Sequence, residues 1–359
     1  MKHYYLDSAA HVPMSIAAQR AYIDFQNSEI SPGHASSLNL IGRKVSGLIE
    51  KARVEISELL GAEKSSQIIF TNTCTEACNW AVEIIFNKAK SDIVYYSPFE
   101  HSAIKYLTET KNNIKKLNII NGKVNEFNNK YNICMHVQNE VGLIQPIEKF
   151  TGYLFSDMSQ SLGKIKINLK ESNVNLACFS GHKIGAGSIG ILYIKDNKDW
   201  VTYGMGSRYY QDRVGSPDAA GIIGLAAGLR DNLSKMDDKV IQMKEFRESL
   251  EKRLKSYGLN VIYVEEDRIA NISMIHLPKV AHLVLDELSE KFNIHCSLGA
   301  ACSSKLTTTN PTMSVLGFEG SVNDFLRISS NGDYGKKDGE YVAETIINIT
   351  KNYKVKYGT

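Results

Sequence analysis

The sequence has no long apolar run. The longest, residues 219–229, is roughly eleven residues, about half of what a bilayer-spanning helix needs. The N-terminal MKHYYLDSAAHVPM has no apolar core of the secretory type, so no export signal is expected. Charge of one sign is missing too: 42 Lys and Arg stand against 39 Asp and Glu, a net charge of +3. That balance gives no sign of a nucleic-acid or membrane partner, and the Lys/Asn-rich piece at 111–116 reads as a solvated turn. Among the six cysteines (Cys74, Cys78, Cys134, Cys178, Cys296, Cys302) there is no C-x-x-C pair, and no nearby histidine stands at a zinc-ligand spacing. No metal is expected. The cysteines fall mostly inside expected strands and helices and read as reduced thiols, which implies a cytoplasmic protein. Internal repeats and low-complexity segments are lacking as well.

What is present is an ordinary globular composition, 43% hydrophobic and 23% charged over 359 residues, enough for one large domain and a smaller one. Strand and helix patterns alternate from residue 67 onward. Strands are expected at 67–71, 92–96, 116–120, 131–137 and 153–156, with helices at 13–27, 42–60, 73–85 and 101–107. This alternation argues for an α/β fold with a mostly parallel sheet covered on both faces. The stretch 217–255 reads as helical with a break near Asp231. Beyond it the pattern changes to strands at 261–264, 269–276 and 325–329 and helices at 280–291 and 338–353, an α+β arrangement. The expected division is a large domain at 14–255 and a small one built from 1–13 and 256–359.

The most informative stretch is NLACFSGHKIGAGSIGILYI, residues 175–194. Its apolar start reads as a buried strand that places Ser180, His182 and Lys183 at the carboxyl end, where open α/β sheets hold ligands. A lysine there is either a surface side chain snorkelling to water or an amine condensed with an aldehyde cofactor, which removes the burden of burying its charge. Residues 185–190 also match G-x-G-x-x-G, but a strand-like GILYI follows where a dinucleotide site needs a helix. A nicotinamide site is therefore not expected.

Other polar residues recur at strand ends: Glu100 and His101, then Gln138, Asn139 and Glu140, then Asp157 and Gln160. Thr73 and Glu76 have capping-box spacing, so the helix after the 67–71 strand offers backbone N–H groups to a phosphate. Singly, each has a plain structural explanation, as a loop histidine or a helix cap. Together they supply what pyridoxal phosphate requires: an imine lysine, an acid for the ring nitrogen, donors for the ring oxygen and an aromatic lid.

The chain resembles the pyridoxal-phosphate cysteine desulfurases of the iron–sulfur-assembly and nitrogen-fixation type, within the class V aminotransferases. The resemblance covers nearly the whole length and rests on YLDSAA at 5–10, FTNTCTE at 70–76, Glu100-His101, MHVQNEVG at 135–142, DMSQSLGK at 157–164, FSGHK at 179–183, SLGAAC at 297–302 and LRIS at 326–329. It implies the PLP-dependent transferase fold (fold type I), with a large, mostly parallel sheet of the seven-stranded type and a small domain carrying the catalytic cysteine. It further implies that Lys183 forms the imine and moves the Cα proton, that Asp157 faces the ring nitrogen and that His101 stacks on the ring. Asn139 and Gln160 would contact the ring hydroxyl side. Cys74, Thr75, Ser180 and His182 would bind the phosphate, with Ser216 reaching the partner's phosphate in a homodimer. Arg327 would hold the substrate carboxylate, with Asn139 nearby. Cys302 would be the nucleophile, on a polar, threonine-rich loop (303–311) expected to move, although its local sequence alone suits a buried structural cysteine.

The implied reaction converts L-cysteine to L-alanine and passes sulfur, as a persulfide on Cys302, to an acceptor protein: an iron–sulfur scaffold, a tRNA-thiolation protein or a DNA-sulfur-modification protein. Selenocysteine lyase, a class V aminotransferase and a non-catalytic sulfur-relay scaffold are the alternatives on this fold.

Overall fold

The computed structural model describes residues 2–204, 208–210, 213–299 and 309–357. The chain forms two compact units, one of residues 13–136 and 145–234, the other of 1–12, 137–144 and 235–359. The division expected after residue 255 falls after 234 instead. The reason is packing: the helix Met236–Ser256 lies along the C-terminal helix Lys336–Tyr357 within one unit. The helical run breaks at Lys235, between Ala219–Ser234 and Met236–Ser256, and not at Asp231.

The larger unit is built on a seven-stranded sheet in the order Ile68–Thr71, Gly190–Ile194, Leu176–Ser180, Tyr153–Asp157, Tyr131–Ile133, Val94–Tyr96, Ile114–Lys116. All neighbours are parallel except Gly190–Ile194, which runs antiparallel to both of its partners. The mostly parallel sheet expected from the alternation is thus present, with the seven strands that the resemblance implied. Its apolar runs are continuous because both faces are buried. Ala177, Phe179, Ile191 and Tyr193 enter one core with the helices Ile16–Gln26, Leu40–Leu59 and Ala219–Ser234. Leu176, Cys178, Leu192 and Ile194 enter the other with Trp80, Ile84 and Ile85 of the helix Cys74–Ala89. This strict alternation is the period-2 geometry of a strand.

The strand expected at 116–120 is not continuous. Pairing in the large sheet stops at Lys116, and Ile119–Ile120 pairs instead with Lys123–Val124 in a small hairpin. Its turn residues, Asn121 and Gly122, have φ of 48° and 73°, as a two-residue turn of the I′ kind demands. Asn-Gly between Ile119-Ile120 and Lys123-Val124 is a local hairpin signal, and it ends the strand that the apolar run suggests.

The smaller unit has a four-stranded antiparallel sheet, ordered Asn260–Val261, Ile272–His276, Phe325–Ser329, Ser297–Leu298. Tyr4–Tyr5 pairs in parallel with Ile294–His295, and Asp7 bridges Ser329. Leu6, Phe246, Leu250, Ile275, Leu288, Leu326 and Ile346 make its core. The bridges Val137↔Ile144 and Leu143↔Arg268 fasten the 137–144 turn to this unit. No helix among the described residues is long and apolar enough to cross a membrane.

Candidate active site

Six strands of the large sheet run in one direction, and most of the expected cofactor residues stand at or after the carboxyl ends of four of them. Asp157 is the last residue of Tyr153–Asp157. Lys183 lies in the one-turn 3-10 helix Gly181–Lys183, directly after Leu176–Ser180. His101 follows Val94–Tyr96 and caps the helix Ser102–Glu109. Cys74 opens the helix that follows Ile68–Thr71. The glycine-rich stretch beyond Lys183 leads into the strand Gly190–Ile194, so no helix N-terminus stands where a dinucleotide would need one.

Asp157 is buried at 9% exposure, and its Oδ1 accepts the Ser159 backbone N–H at 2.9 Å. Lys183 and His101 are half-buried. The three meet electrostatically at the His101 ring. Burial and then the positive charge of Lys183 lower the His101 pKa, and Asp157 pulls it the other way. His101 Nδ1 accepts the Ala103 N–H at 3.2 Å, so a neutral ring carries its proton on Nε2. Glu100, beside it, is buried and accepts the Met135 N–H at 2.6 Å. Burial pushes its carboxyl well above the usual range; the Met135 bond opposes this and Asp157 adds to it.

At the start of the helix Cys74–Ala89, Thr73 Oγ1 accepts the Glu76 N–H at 3.2 Å and Glu76 accepts the Asn72 N–H at 2.8 Å. The capping residues expected from the sequence are thus in contact, and the first-turn N–H groups they leave suit an anion. Thr75 is exposed there. The Cys74 side chain is not: its Sγ lies 3.8 Å from Cys78 Sγ and 3.2 Å from Ser159 Oγ, inside the core. Its hydrogen bond with Cys78 and its burial push the thiol pKa well up, so what Cys74 offers a phosphate is its backbone. Ser180 Oγ and His182 Nδ1 are 2.9 Å apart, and Gln160 is buried. Gly190 holds this corner tight: a Cβ there would fall 2.5 Å from Thr71 Oγ1 and from the Thr73 carbonyl. Ser216 is exposed and sits 2.8 Å from His34 Nε2.

Asn139 and Arg327 belong to the other unit, where they are in contact: Arg327 Nη1 donates to the Asn139 carbonyl at 3.0 Å. Arg327 Nη2 donates to Asp7 Oδ1 at 2.8 Å, and Ser297 Oγ donates to the same oxygen at 2.9 Å. Arg327 is almost fully buried, and its Nε has no acceptor among the described residues. Asp7 lies in YLDSAA and Ser297 in SLGAAC, and neither motif by itself gives its residue a role. Their signal, an acid near one terminus and a strand near the other, has no local expression. Cys302 and its loop to residue 308 lie outside the described residues. Among those described, no group of three or more His, Cys, Asp or Glu is placed to hold a metal ion.

This donor set fits pyridoxal phosphate: a primary amine, a buried carboxylate, a neutral imidazole and a capped helix N-terminus at one sheet edge. Comparison with known proteins agrees with the architecture. The chain is 28% identical to cysteine desulfurase IscS of Buchnera aphidicola subsp. Schizaphis graminum, over 88% of this chain and 84% of that one. To cysteine desulfurase NifS of Azotobacter vinelandii it is 26% identical, over 85% and 81%. A solved NifS-like protein superposes with a TM-score of 0.86 at 23% identity, over 98% of this chain and all of that one. A NifS-like protein from Rickettsia africae gives 0.84 at 24%, again over 98% and 100%. These structures share the fold. The family model for class-V aminotransferases matches residues 4–334. By that match, spanning both units, the chain belongs to the class V aminotransferase family.

Proposed function

We propose that this protein is a pyridoxal-phosphate-dependent cysteine desulfurase, which converts L-cysteine to L-alanine and carries the sulfur away as a persulfide on Cys302. The observation that carries the reading is the meeting of Lys183, His101 and Asp157 at one edge of the sheet, each following a parallel strand. Relatives named as cysteine desulfurases, aligned over most of the chain, support it.

When bound, the cofactor supplies an electron sink for the charge left at the substrate Cα. The protein's residues supply the rest. The Asp157 carboxylate, fixed by the Ser159 N–H, would pair with the ring nitrogen and hold its proton. Lys183 would hold the cofactor through its aldehyde, and its amine would move the Cα proton. His101, whose pKa is lowered by burial and by Lys183, would cover the ring without adding a charge. Backbone N–H groups of Cys74 and Thr75 bind the phosphate, joined by Ser180 and His182. Gln160 would contact the ring hydroxyl, the role the resemblance also gives Asn139. Arg327, whose Nε has no acceptor among the described residues, would take the substrate carboxylate, a task that suits a planar guanidinium. The Cys302 thiolate attacks the substrate sulfur, the Cβ–S bond breaks, and alanine is left once Cα and Cβ are protonated.

A homodimer is part of this reading. Ser216 is exposed, and Leu38, at 87% exposure, and Leu40 stand in the same unit. The sulfur acceptor is a second protein, of the iron–sulfur-scaffold, tRNA-thiolation or DNA-sulfur-modification kind.

The test is turnover of L-cysteine by the purified holoprotein, reading alanine by amino-acid analysis and persulfide on Cys302 by alkylation and mass spectrometry. Lys183→Ala is expected to abolish both. Alanine release by Cys302→Ala at the wild-type rate would sink the assignment of the nucleophile, and transamination of a keto acid without persulfide would point to an aminotransferase instead.

A further inference from the structure

The turn at 138–143 is braced by its own side chain. Gln138 is fully buried; its Oε1 accepts the N–H groups of Glu140 (2.8 Å) and Val141 (2.7 Å). Its backbone N–H donates to the Leu143 carbonyl at 2.9 Å, and Gly142 N–H donates back to the Gln138 carbonyl at 2.9 Å. One residue of this turn, Asn139, accepts from Arg327. The next, Glu140, turns a buried carboxylate (4% exposed) toward Asn310, whose Nδ2 donates to Glu140 Oε2 at 2.7 Å.

Asn310 is itself 1% exposed and holds the chain on its far side. Its Oδ1 accepts the Met313 N–H at 3.1 Å, capping the helix Pro311–Val315. Gly299 approaches the same pair from the other direction. It has φ of +50°, and a Cβ on it would lie 2.9 Å from Asn310 Nδ2 and 3.1 Å from Glu140 Oε2. Residues 299 and 310 flank the segment that contains Cys302, and both close on one carboxylate.

We infer that Glu140 is a positioning residue, pinning both ends of the Cys302 segment to the turn that also holds Arg327. The nucleophile and the substrate-carboxylate clamp are thereby referred to one rigid support, a Glu140–Asn310 hydrogen bond with Gly299 packed against it. This rests on the desulfurase reading for its purpose, though not for its geometry. A residue that sets the reach of Cys302 acts on sulfur transfer and leaves cofactor loading and cysteine binding alone.

Asn310→Asp separates the two roles of Asn310. The aspartate still caps the Pro311–Val315 helix, but it sets a second carboxylate against Glu140. The reciprocal pair, Glu140→Gln with Asn310→Asp, restores one donor and one acceptor. Two measurements on the full-length holoprotein decide the matter. The first is independent of turnover: trypsin cleavage after Lys305 and alkylation of Cys302 by iodoacetamide. Both are expected to rise at least about tenfold in Asn310→Asp, the weight of a charge-assisted hydrogen bond, and to return to the wild-type range in the double variant. The second is persulfide formation from L-cysteine, expected to slow by a similar factor in Asn310→Asp with KM unchanged, and to recover in the double variant.

Cleavage and alkylation that stay at wild-type rates in a folded Asn310→Asp protein would overturn the inference, as would a double variant no better than the single one. If wild-type protein forms no persulfide from cysteine, the desulfurase reading falls, and the cleavage and alkylation rates still decide whether Glu140 pins the segment.

Discussion

Asp7 and Arg327, 320 positions apart in the chain, meet at 2.8 Å inside the smaller unit. Arg327 is buried, so Asp7 compensates a guanidinium charge that would be costly alone, and it orients that group while Nε has no acceptor among the described residues. The Ser297 hydroxyl, donating to the same Asp7 oxygen, keeps the carboxylate in place.

Asp7→Ala is therefore expected to destabilise the protein by about 3 kcal/mol, the low end for removing one partner of a buried pair. Asp7→Asn, which keeps an acceptor oxygen, should lose less. Urea unfolding of both variants measures this, and equal midpoints for wild type and Asp7→Ala would show that the contact contributes nothing.

Glu100 gives a pH dependence of defined sign. Burial raises its pKa in the folded protein, so an unfolded chain ionises near 4.5 while the folded carboxyl keeps its proton. Its contribution to stability is complete below that pH and is lost as pH rises toward the folded value. Glu100→Gln mimics the protonated acid and should raise the melting temperature at pH 8, with a gain that shrinks toward pH 4.5. A loss of stability that is the same at both pH values would contradict a neutral Glu100.

His101 behaves in the opposite sense. Its pKa lies below the ordinary 6.5, chiefly because of burial, and protonating Nδ1 would also break its bond to the Ala103 N–H. Between the folded midpoint and pH 6.5 the unfolded chain takes up a proton that the folded one does not. Stability from this residue therefore falls as pH drops through that window and is unaffected above it. A nitrogen NMR titration should find the proton on Nε2 and the midpoint below 6.5; a midpoint above 6.5 would refute the assignment.

Gly190 tests the phosphate corner. In Gly190→Ala the new methyl would press on Thr71 and on the backbone of Thr73, displacing the cap of the helix Cys74–Ala89. Overpacking of this kind typically destabilises by about 1–3 kcal/mol. Pyridoxal phosphate should bind the apoprotein roughly tenfold more weakly, about 1.4 kcal/mol, read from the absorbance of the bound cofactor. Unchanged affinity would separate the helix start from phosphate binding.

The strands flanking Lys183 were legible in the residues because alternation of Ala177 and Phe179 against Leu176 and Cys178 is a local pattern, set by the pleat alone. The same locality let the glycines at 185–190 be separated from a dinucleotide loop, since the GILYI that follows has a strand-like composition and does form a strand. Asp157, His101 and the Thr73 cap were legible for the same reason: each lies at the end of a strand or in the short turn after it. Pairings between distant residues obey no such rule. That Asp7 would meet Arg327, that Glu140 would receive Asn310, that the Cys74 thiol would turn into the core, and that the helix 236–256 would join the smaller unit all depend on how crossovers bring remote segments together. Nothing within a turn or two of any of these residues encodes its partner, because a buried polar group is satisfied by whatever the assembled fold sets within hydrogen-bond reach.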